Sequence, residues 1–335
     1  MAEFDMIKTF FSPLSRENDF VRLGQGDDCA LIASRAGHEC AISTDTLVSG
    51  VHFLPTLNAE ALGYRCLAVN LSDLAAMGAR PRAYTLSLSL PEINPQWLAA
   101  FSNGLRHGAA PYDCVLMGGD LTKGPVVSVT ITVFGEVALG QALRRDGMRL
   151  GDQLWLSGSI GGAWCGLQLA LGTLAVEAPW LRLSDTQSDE ARRCFERPQA
   201  RVALGQSLVG IATAALDVSD GLAGDAQHLC RASGLGLVVE LDCLPIFSAL
   251  RSHSDRFAAG LEVALTGGDD YELLFTAPAA CSPQIHDIAE DLGVPLSRVG
   301  RVTANTNQGL VHYVSDQPHV QAEITERVRN GFEHF

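Results

Sequence analysis

Alternating apolar and polar residues along several short stretches of the chain predict β-strands. The clearest are AYTLSLSL at 83–90 and VSVTITV at 127–133, where every second side chain is large and apolar. A period of two is typical of a strand with one buried face. Shorter apolar runs predict further strands at 41–46, 113–117, 153–157, 214–217 and 271–276, and near Leu237, Val299 and Val311.

Apolar residues spaced three and four apart predict helices between these strands. One helix opens at Asn58 and carries Asp73 near its far end, and another begins with Asn94 as its cap and Pro95 in its first turn. Further helices are predicted at 4–11, 162–172, after 201, at 222–233 and at 285–292. The segment 177–190 is predicted to be an irregular surface excursion.

Strands and helices alternate along the whole chain, which predicts an α/β protein. With 335 residues the chain is long enough for two domains, each with its own core. The segment QALRRDGMRLGD at 141–152 is polar and shows no strong periodicity, so the domain boundary is expected near it. The predicted domains are residues 1–145 and residues 146–335.

The charge and the cysteines narrow the class of protein. A formal net charge of −14 argues against binding to nucleic acids or anionic membranes and favours cations or metal-complexed phosphates as partners. No apolar run is long enough to span a bilayer, and MAEFDMIKTFF lacks a basic signal-peptide region, so we expect a cytoplasmic protein. The nine cysteines show no CxxC spacing, which indicates buried thiols rather than a zinc site.

Acidic motifs lie close to the ends of several predicted elements. If they converged, carboxylate pairs about 5 Å apart would repel by about 3 kcal/mol at an effective dielectric near 20, so the cluster would need cations, and magnesium is the natural choice. The alternative is a set of ordinary turns and helix caps, which is strongest for Asp217 and Asp220. The motifs are GDD at 26–28, STDT at 43–46, GGD at 118–120, DVSDG at 217–221 and GGDD at 267–270.

Two common nucleotide-binding loops are missing from the sequence. Neither GxGxxG nor GxxxxGK[ST] occurs in the chain. The segment GSIGG at 158–162 follows a predicted strand and precedes a predicted helix, so its main-chain N–H groups could cradle a phosphate.

Seven motifs taken together resemble those of the thiamine-monophosphate kinase family. They keep the family's order and spacing from end to end. Single motifs are shared with aminoimidazole ribonucleotide synthetase, selenophosphate synthetase and HypE, but the combination is specific to the kinase. The motifs are GDDCA at 26–30, STDTLVSGVHF at 43–53, NLSDLAAMGARP at 70–81, GGD at 118–120, DVSDGL at 217–222, GGDDYELLF at 267–275 and GFEHF at 331–335.

The resemblance implies a fold and an activity. The fold would be a two-domain PurM-like α/β fold, in which N-terminal mixed sheets pair across a homodimer into a barrel and a C-terminal α/β domain follows. ATP would lie between the domains in a site closed by the dimer. The activity would be ATP-dependent, magnesium-assisted phosphorylation of thiamine monophosphate to thiamine diphosphate, the final step in thiamine diphosphate biosynthesis.

The resemblance also implies roles for individual residues. Asp269 stands where the family often has Glu, Phe332 stands where it often has Tyr or Trp, and Tyr112 is a candidate for adenine contact. The implied magnesium ligands are Asp28, Ser43, Thr44, Asp45, Asp73, Asp120, Asp217 and Asp220. The implied catalytic residues are Asp45, Asp73, Asp120 and Asp217; those for ATP are Gly119, Asp120, Arg145 and Ser219; those for the substrate are His52, Asp269 and Phe332.

The implied chemistry agrees with the residues that the chain carries. A phosphate nucleophile is already ionised at neutral pH, so charge neutralisation and positioning are needed rather than a general base. No Ser/His/Asp or Cys/His arrangement is evident in the sequence, and none is required. Two alternatives remain at this point: a sibling enzyme of the same superfamily, and a non-catalytic regulator that binds nucleotide or metal.

Overall fold

The computed structural model describes residues 3–25, 27–252, 256–305 and 310–328. The chain divides into two compact units. The first comprises residues 1–74 and 79–142, and the second comprises residues 75–78 and 143–335.

The first unit is built on a four-stranded mixed sheet with the order β3-β6-β4-β5. β4 and β5 are parallel, and the other two pairs are antiparallel. A short antiparallel pair, β1-β2, lies outside this sheet. The six strands are β1 (Val21–Leu23), β2 (Leu31–Ile32), β3 (His38–Val48), β4 (Arg80–Leu90), β5 (Val115–Lys123) and β6 (Ser128–Ala138).

Helices α1 (Glu3–Met6), α2 (Ala59–Ala76) and α3 (Pro95–Ala109) complete the first unit, and a wider helical turn, Ile7–Phe11, follows α1. α2 is buried on nearly all sides. Glycines allow α2 and α3 to approach closely, because a Cβ added at Gly63 would lie 2.1 Å from the Phe101 carbonyl oxygen. The last residues of α2 belong to the second unit.

The second unit is built on a six-stranded sheet with the order β12-β9-β11-β7-β10-β8. Only the edge strand β12 is parallel to its neighbour among these described strands. β8 and β10 are adjacent, which brings the segments that precede β10 and follow β8 to the same end of the sheet. The strands are β7 (Gln153–Ser157), β8 (Ala214–Val218), β9 (Gly236–Glu240), β10 (Glu272–Ala277), β11 (Leu296–Thr303) and β12 (Val311–Val314).

Helices pack on this sheet around an apolar core rich in leucine, alanine and valine. The core includes Leu154, Leu216, Leu229 and Leu274, all completely or almost completely buried. The helices are α4 (Gly162–Leu171), α5 (Leu174–Glu177), α6 (Asp185–Glu196), α7 (Val202–Leu208), α8 (Leu222–Ser233), α9 (Ser248–Arg251), α10 (Phe257–Thr266), α11 (Ser282–Leu292) and α12 (Pro318–Arg327).

Most of the strands and helices predicted from periodicity are confirmed. Asn94 caps α3 as expected, since its side chain accepts from the Trp97 N–H. Two expectations are wrong. The strand expected to end before Gly118-Gly119-Asp120 continues through this motif as β5. The supposed surface excursion 177–190 contains the start of α6, where Ser184 and Gln187 form a capping box.

Across the ranges that the structure describes, none of the helices combines the length and the apolar character required to cross a membrane.

Candidate functional site

The first group of predicted site residues lies where the edge strand β3 runs beside helix α2. Ser43 and Asp45 are two residues apart and therefore point to the same face of β3. The Ser43 hydroxyl donates a hydrogen bond of 2.6 Å to the carboxylate of Asp73 on α2. The structure thus brings Ser43, Asp45 and Asp73 together on two regular elements.

Asn70, which was not among the predicted site residues, joins the same strand and helix. Its side-chain oxygen accepts from the main-chain N–H of Asp45 at 3.1 Å, and its amide donates to the Cys66 carbonyl at 2.8 Å. Asn70 is completely buried. Its spacing from Asp73 is the signal that could have identified it, because residues three apart share a helix face.

Thr44 lies apart from this group, although it was predicted to be a magnesium ligand with Ser43 and Asp45. Its hydroxyl is 2.9 Å from the hydroxyl of Thr132 on β6. Alternation along β3 places that hydroxyl on the opposite face of the sheet from Ser43 and Asp45. The Thr44 side chain therefore does not share a site with the Asp45 carboxylate in this structure.

A cavity of about 680 Å³ in the first unit contains the next group of predicted residues. Asp28 and Asp120 line it, together with Gly119 and with Asp27, which precedes Asp28. The cavity also has an apolar wall, so it presents carboxylates and an apolar surface to the same space. The apolar lining includes Ile7, Phe11, Leu86, Leu88, Leu116 and Met117.

His52 follows β3, and its ring orientation is fixed by a main-chain contact. The Nδ1 atom of His52 accepts a hydrogen bond of 3.1 Å from the Val48 N–H. Because Nδ1 acts as an acceptor, the neutral ring carries its proton on Nε2.

Tyr112, the candidate for adenine contact, ends the short helical turn Ala110–Tyr112 just before β5.

The second group of predicted residues lies on two adjoining loops of the second unit. The main-chain N–H of Asp269 donates to the Ser219 carbonyl at 2.8 Å, and the Tyr271 N–H donates to the Val218 carbonyl at the same distance. The Tyr271 hydroxyl donates to the Asp269 carboxylate at 3.2 Å. These contacts bring Ser219, Asp269 and the nearly buried Asp217 to one end of the sheet.

Asp225, in the first turn of α8, anchors the loop that carries Ser219 and Asp220. Its carboxylate accepts from the main-chain N–H groups of these two residues at 3.0 and 3.2 Å. Burial raises the pKa of Asp225 to about 7, and the charges of Asp217 and Asp220 contribute to the increase. Asp225 was not among the predicted site residues. Its position eight residues after Asp217 is the only feature of the sequence that could have pointed to it.

Arg145 lies near the same helix. Burial lowers the pKa of His228 on α8, and the nearby cations Arg145 and Arg231 lower it further, whereas Asp220 acts in the opposite direction. The Arg145 carbonyl accepts from the Ser233 hydroxyl at 2.9 Å, which holds this segment against the end of α8. Arg145 and Asp220 therefore both lie within electrostatic reach of His228.

The shifted pKa of Asp225 predicts how the stability of the metal-free protein depends on pH. The folded-state pKa lies above the usual value of 3.8, so the folded protein holds a proton that the unfolded chain releases. Asp225 should therefore contribute about 1 kcal/mol more to the free energy of unfolding at pH 6 than at pH 8. Thermal melting in EDTA should show an increase larger by this amount in wild type than in Asp225→Asn; equal pH slopes in both proteins would contradict the prediction.

Asp270 occupies the helix N-terminus that the sequence suggested as a phosphate cradle. Its carboxylate oxygens accept from the Gly161 N–H at 3.0 and 2.9 Å, and one of them accepts from the Ala163 N–H at 3.4 Å. The N–H groups of the N-cap residue Gly161 and of Ala163 in the first turn of α4 are therefore already satisfied by a side chain. The expectation that this glycine turn could cradle a phosphate is wrong in this structure.

The donor set of both groups consists of oxygen atoms from carboxylates and hydroxyls, which suits a hard divalent cation such as magnesium. In the part of the chain that the structure describes, no three acidic, histidine or cysteine side chains are gathered closely enough to form a metal site by themselves. Magnesium is usually held by one or two carboxylates together with substrate phosphates, so these residues fit that mode of binding.

Phe332, a predicted substrate contact, and the rest of GFEHF lie outside the described residues.

Comparison with family models defines the class of protein. Residues 26–137 match the model described as "AIR synthase related protein, N-terminal domain", and residues 149–312 match "AIR synthase related protein, C-terminal domain". The two matches cover most of the chain. They confirm the predicted two-domain PurM-like α/β fold.

Individual relatives identify the family within this class. The thiamine-monophosphate kinase of Haemophilus influenzae is 38% identical over 336 residues, covering 100% of this chain and 98% of that protein. The crystal structure of thiamine-monophosphate kinase from Stenotrophomonas maltophilia K279a superimposes with a TM-score of 0.83 and 43% identity, covering 93% of this chain and 96% of that one. A structure described as AaThiL complexed with AMPPCP and TMP gives a TM-score of 0.70 and 29% identity, covering 85% of each chain. The chain belongs to the thiamine-monophosphate kinase family, which confirms the resemblance drawn from its motifs.

Proposed function

We propose that this protein transfers the γ-phosphoryl group of ATP directly to the phosphate of thiamine monophosphate, giving thiamine diphosphate and ADP in the cytoplasm. The observation that carries the proposal is the pair of hydrogen bonds that join β3 to α2, Ser43 to Asp73 and the Asp45 N–H to Asn70, in a chain whose full length matches kinases of this name. A relative in complex with AMPPCP, an ATP analogue, and TMP supports the choice of substrates.

Oxygen ligands would hold several magnesium ions around the phosphates. When bound, these ions would neutralise the phosphate charge that otherwise opposes the joining of two anions. Asp45 and Asp73 are held for this task by Asn70 and Ser43, whereas Asp28 and Asp120 line the cavity. Asp220 is presented by the loop that Asp225 anchors, and Asp217 lies on β8 just before that loop.

Contacts to ATP and substrate complete the proposal. Gly119, Arg145 and Ser219 would contact ATP, and the Nε2–H of His52 would donate a hydrogen bond to the substrate phosphate. Asp269, with its carboxylate held by the Tyr271 hydroxyl, would also contact thiamine monophosphate. Phe332 would stack on the cationic thiazolium or on the pyrimidine.

We also propose that the protein is a homodimer whose first units pair their sheets into a barrel. The face of the sheet opposite Ser43 and Asp45 carries pairs of hydroxyl side chains, Thr44 with Thr132 and Thr46 with Thr130, at 2.9 and 2.8 Å. On the same face Ile42 is 60% exposed. A second copy of this sheet would cover these small side chains and bury Ile42.

Sedimentation should therefore give twice the chain mass of 35.7 kDa. Thr132→Arg places a large cation on the middle of this face, where the partner sheet would leave it unpaired and desolvated. This variant should sediment as a monomer. A wild-type monomer at micromolar concentration would contradict the proposed pairing.

The reaction is tested by mixing purified protein with ATP, magnesium chloride and thiamine monophosphate. Thiamine diphosphate and ADP should appear in equal amounts, and omission of magnesium should stop both. ADP formation that is unaffected by thiamine monophosphate would indicate an ATPase and remove the proposal. Binding of ATP without any turnover would instead favour the non-catalytic regulator.

A further inference from the structure

The loop 268–271 has an unusual main-chain conformation at the proposed substrate contact. Gly268, Asp269 and Tyr271 have φ angles of 66°, 64° and 52°, in the left-handed region. Residues other than glycine adopt this region only at a cost in free energy, so neighbouring contacts must hold them there. The conformation matters because it sets the direction of the Asp269 carboxylate.

Contacts fix this loop from two sides. On one side, the Asp269 and Tyr271 N–H groups donate to the carbonyls of Ser219 and Val218. On the other side, the Asp270 carboxylate binds the main-chain N–H groups of Gly161 and Ala163 at the start of α4. Asp270 is thus the side chain that fastens the loop to a regular helix, 107 to 109 residues away in sequence.

The Asp270 carboxylate binds the main chain at the start of α4. Both of its oxygens accept from the Gly161 N–H, and Asp270 lies between two residues, Asp269 and Tyr271, that have positive φ angles. The side chains of Asp269 and Asp270 contact different partners. Asp269 lies beside the Tyr271 hydroxyl, whereas Asp270 binds the main chain at the start of α4.

We propose that Asp270 is a positioning residue for the substrate site, which fixes the conformation of the loop and thereby the direction of Asp269. The proposal rests on the proposed function in taking Asp269 as a contact to thiamine monophosphate. The loop at 219–221 has its own anchor in Asp225, so loss of Asp270 should disturb substrate binding more than ATP binding.

The test compares Asp270→Ala and Asp270→Asn with a matched control. Ser184→Ala removes a helix cap of the same unit, on α6, from a residue that has no place in the proposed site. We expect Asp270→Ala to raise the Michaelis constant for thiamine monophosphate at least tenfold, and that for ATP less than threefold. Asp270→Asn keeps one oxygen acceptor for the Gly161 N–H and should raise the first constant about threefold.

Ser184→Ala should lower the melting temperature and leave both Michaelis constants unchanged. The inference is overturned if Asp270→Ala changes stability alone, as the control does, or raises both constants equally. If Asp270→Ala does not fold, Asp270→Asn decides, because wild-type constants in that variant would overturn the inference.

Hydrogen exchange of the unliganded proteins tests the anchor without relying on the reaction. Main-chain amides 269–272 should exchange at least tenfold faster in Asp270→Ala than in wild type, and at wild-type rates in Ser184→Ala. Unchanged exchange in Asp270→Ala would overturn the inference. Wild-type protein that forms no thiamine diphosphate would refute the proposed function, whereas the exchange result would still decide whether Asp270 holds the loop.

Discussion

Asp73→Asn should lower turnover by about 10³-fold while the protein remains folded. The Ser43 hydroxyl can still donate to the amide oxygen of the substituted side chain, so the link between β3 and α2 is kept. The neutral amide cannot balance a magnesium ion, and it also removes repulsion between Asp73 and Asp45 in the metal-free protein. The melting temperature without magnesium should therefore equal or exceed that of wild type. Asp120→Asn on β5 should behave in the same way.

Glu60→Gln provides the matched control for Asp73→Asn. Glu60 lies at the other end of the same helix, where its carboxylate is 3.1 Å from the His107 ring. Removing this charge should change turnover less than twofold. If Asp73→Asn instead lost stability and kept its activity, Asp73 would be a structural residue and the metal-site assignment would fail.

Gly119→Ala should destabilise the first unit and disrupt the site at the same time. A Cβ at Gly119 would lie 1.9 Å from the main-chain oxygen of Leu86, its partner in the parallel β4–β5 pairing. A main-chain atom within a sheet cannot rotate away, so the two strands must separate locally. The loss should be about 3 kcal/mol or more, which corresponds to a melting temperature lower by about 6–12 °C. Turnover should fall about 100-fold because Asp120 is displaced with the strand.

Gly118→Ala is the control for this prediction because it makes the same chemical change one residue earlier. A Cβ at Gly118 meets no atom within 4 Å. Its melting temperature should therefore stay within about 2 °C of wild type. Similar losses of stability in the two variants would show that the close approach to Leu86 is not what requires glycine at 119.

The sequence by itself determined the elements and the family. Strand alternation, as at 127–133, and helix signals such as Asn94 followed by Pro95 depend on neighbours in the chain, so they can be recognised without a structure. The order and spacing of the seven motifs identified the family, and each motif is a short stretch that can be recognised without a structure. The motifs also identified several acidic site residues on the described loops and strands without any knowledge of their contacts.

Only the tertiary structure decided which partner each of these side chains meets. The Thr44 hydroxyl meets that of Thr132 because β6 pairs with β3, and the GGD motif lies inside β5 because β4 pairs with it there. Asn70 binds the Asp45 N–H 25 residues away, and Asp270 binds the Gly161 N–H 109 residues away. A carboxylate or an amide can serve as ligand, cap or anchor with equal chemical ease. The distant main-chain groups that folding brings to it select among these roles, and no local pattern in the sequence specifies them.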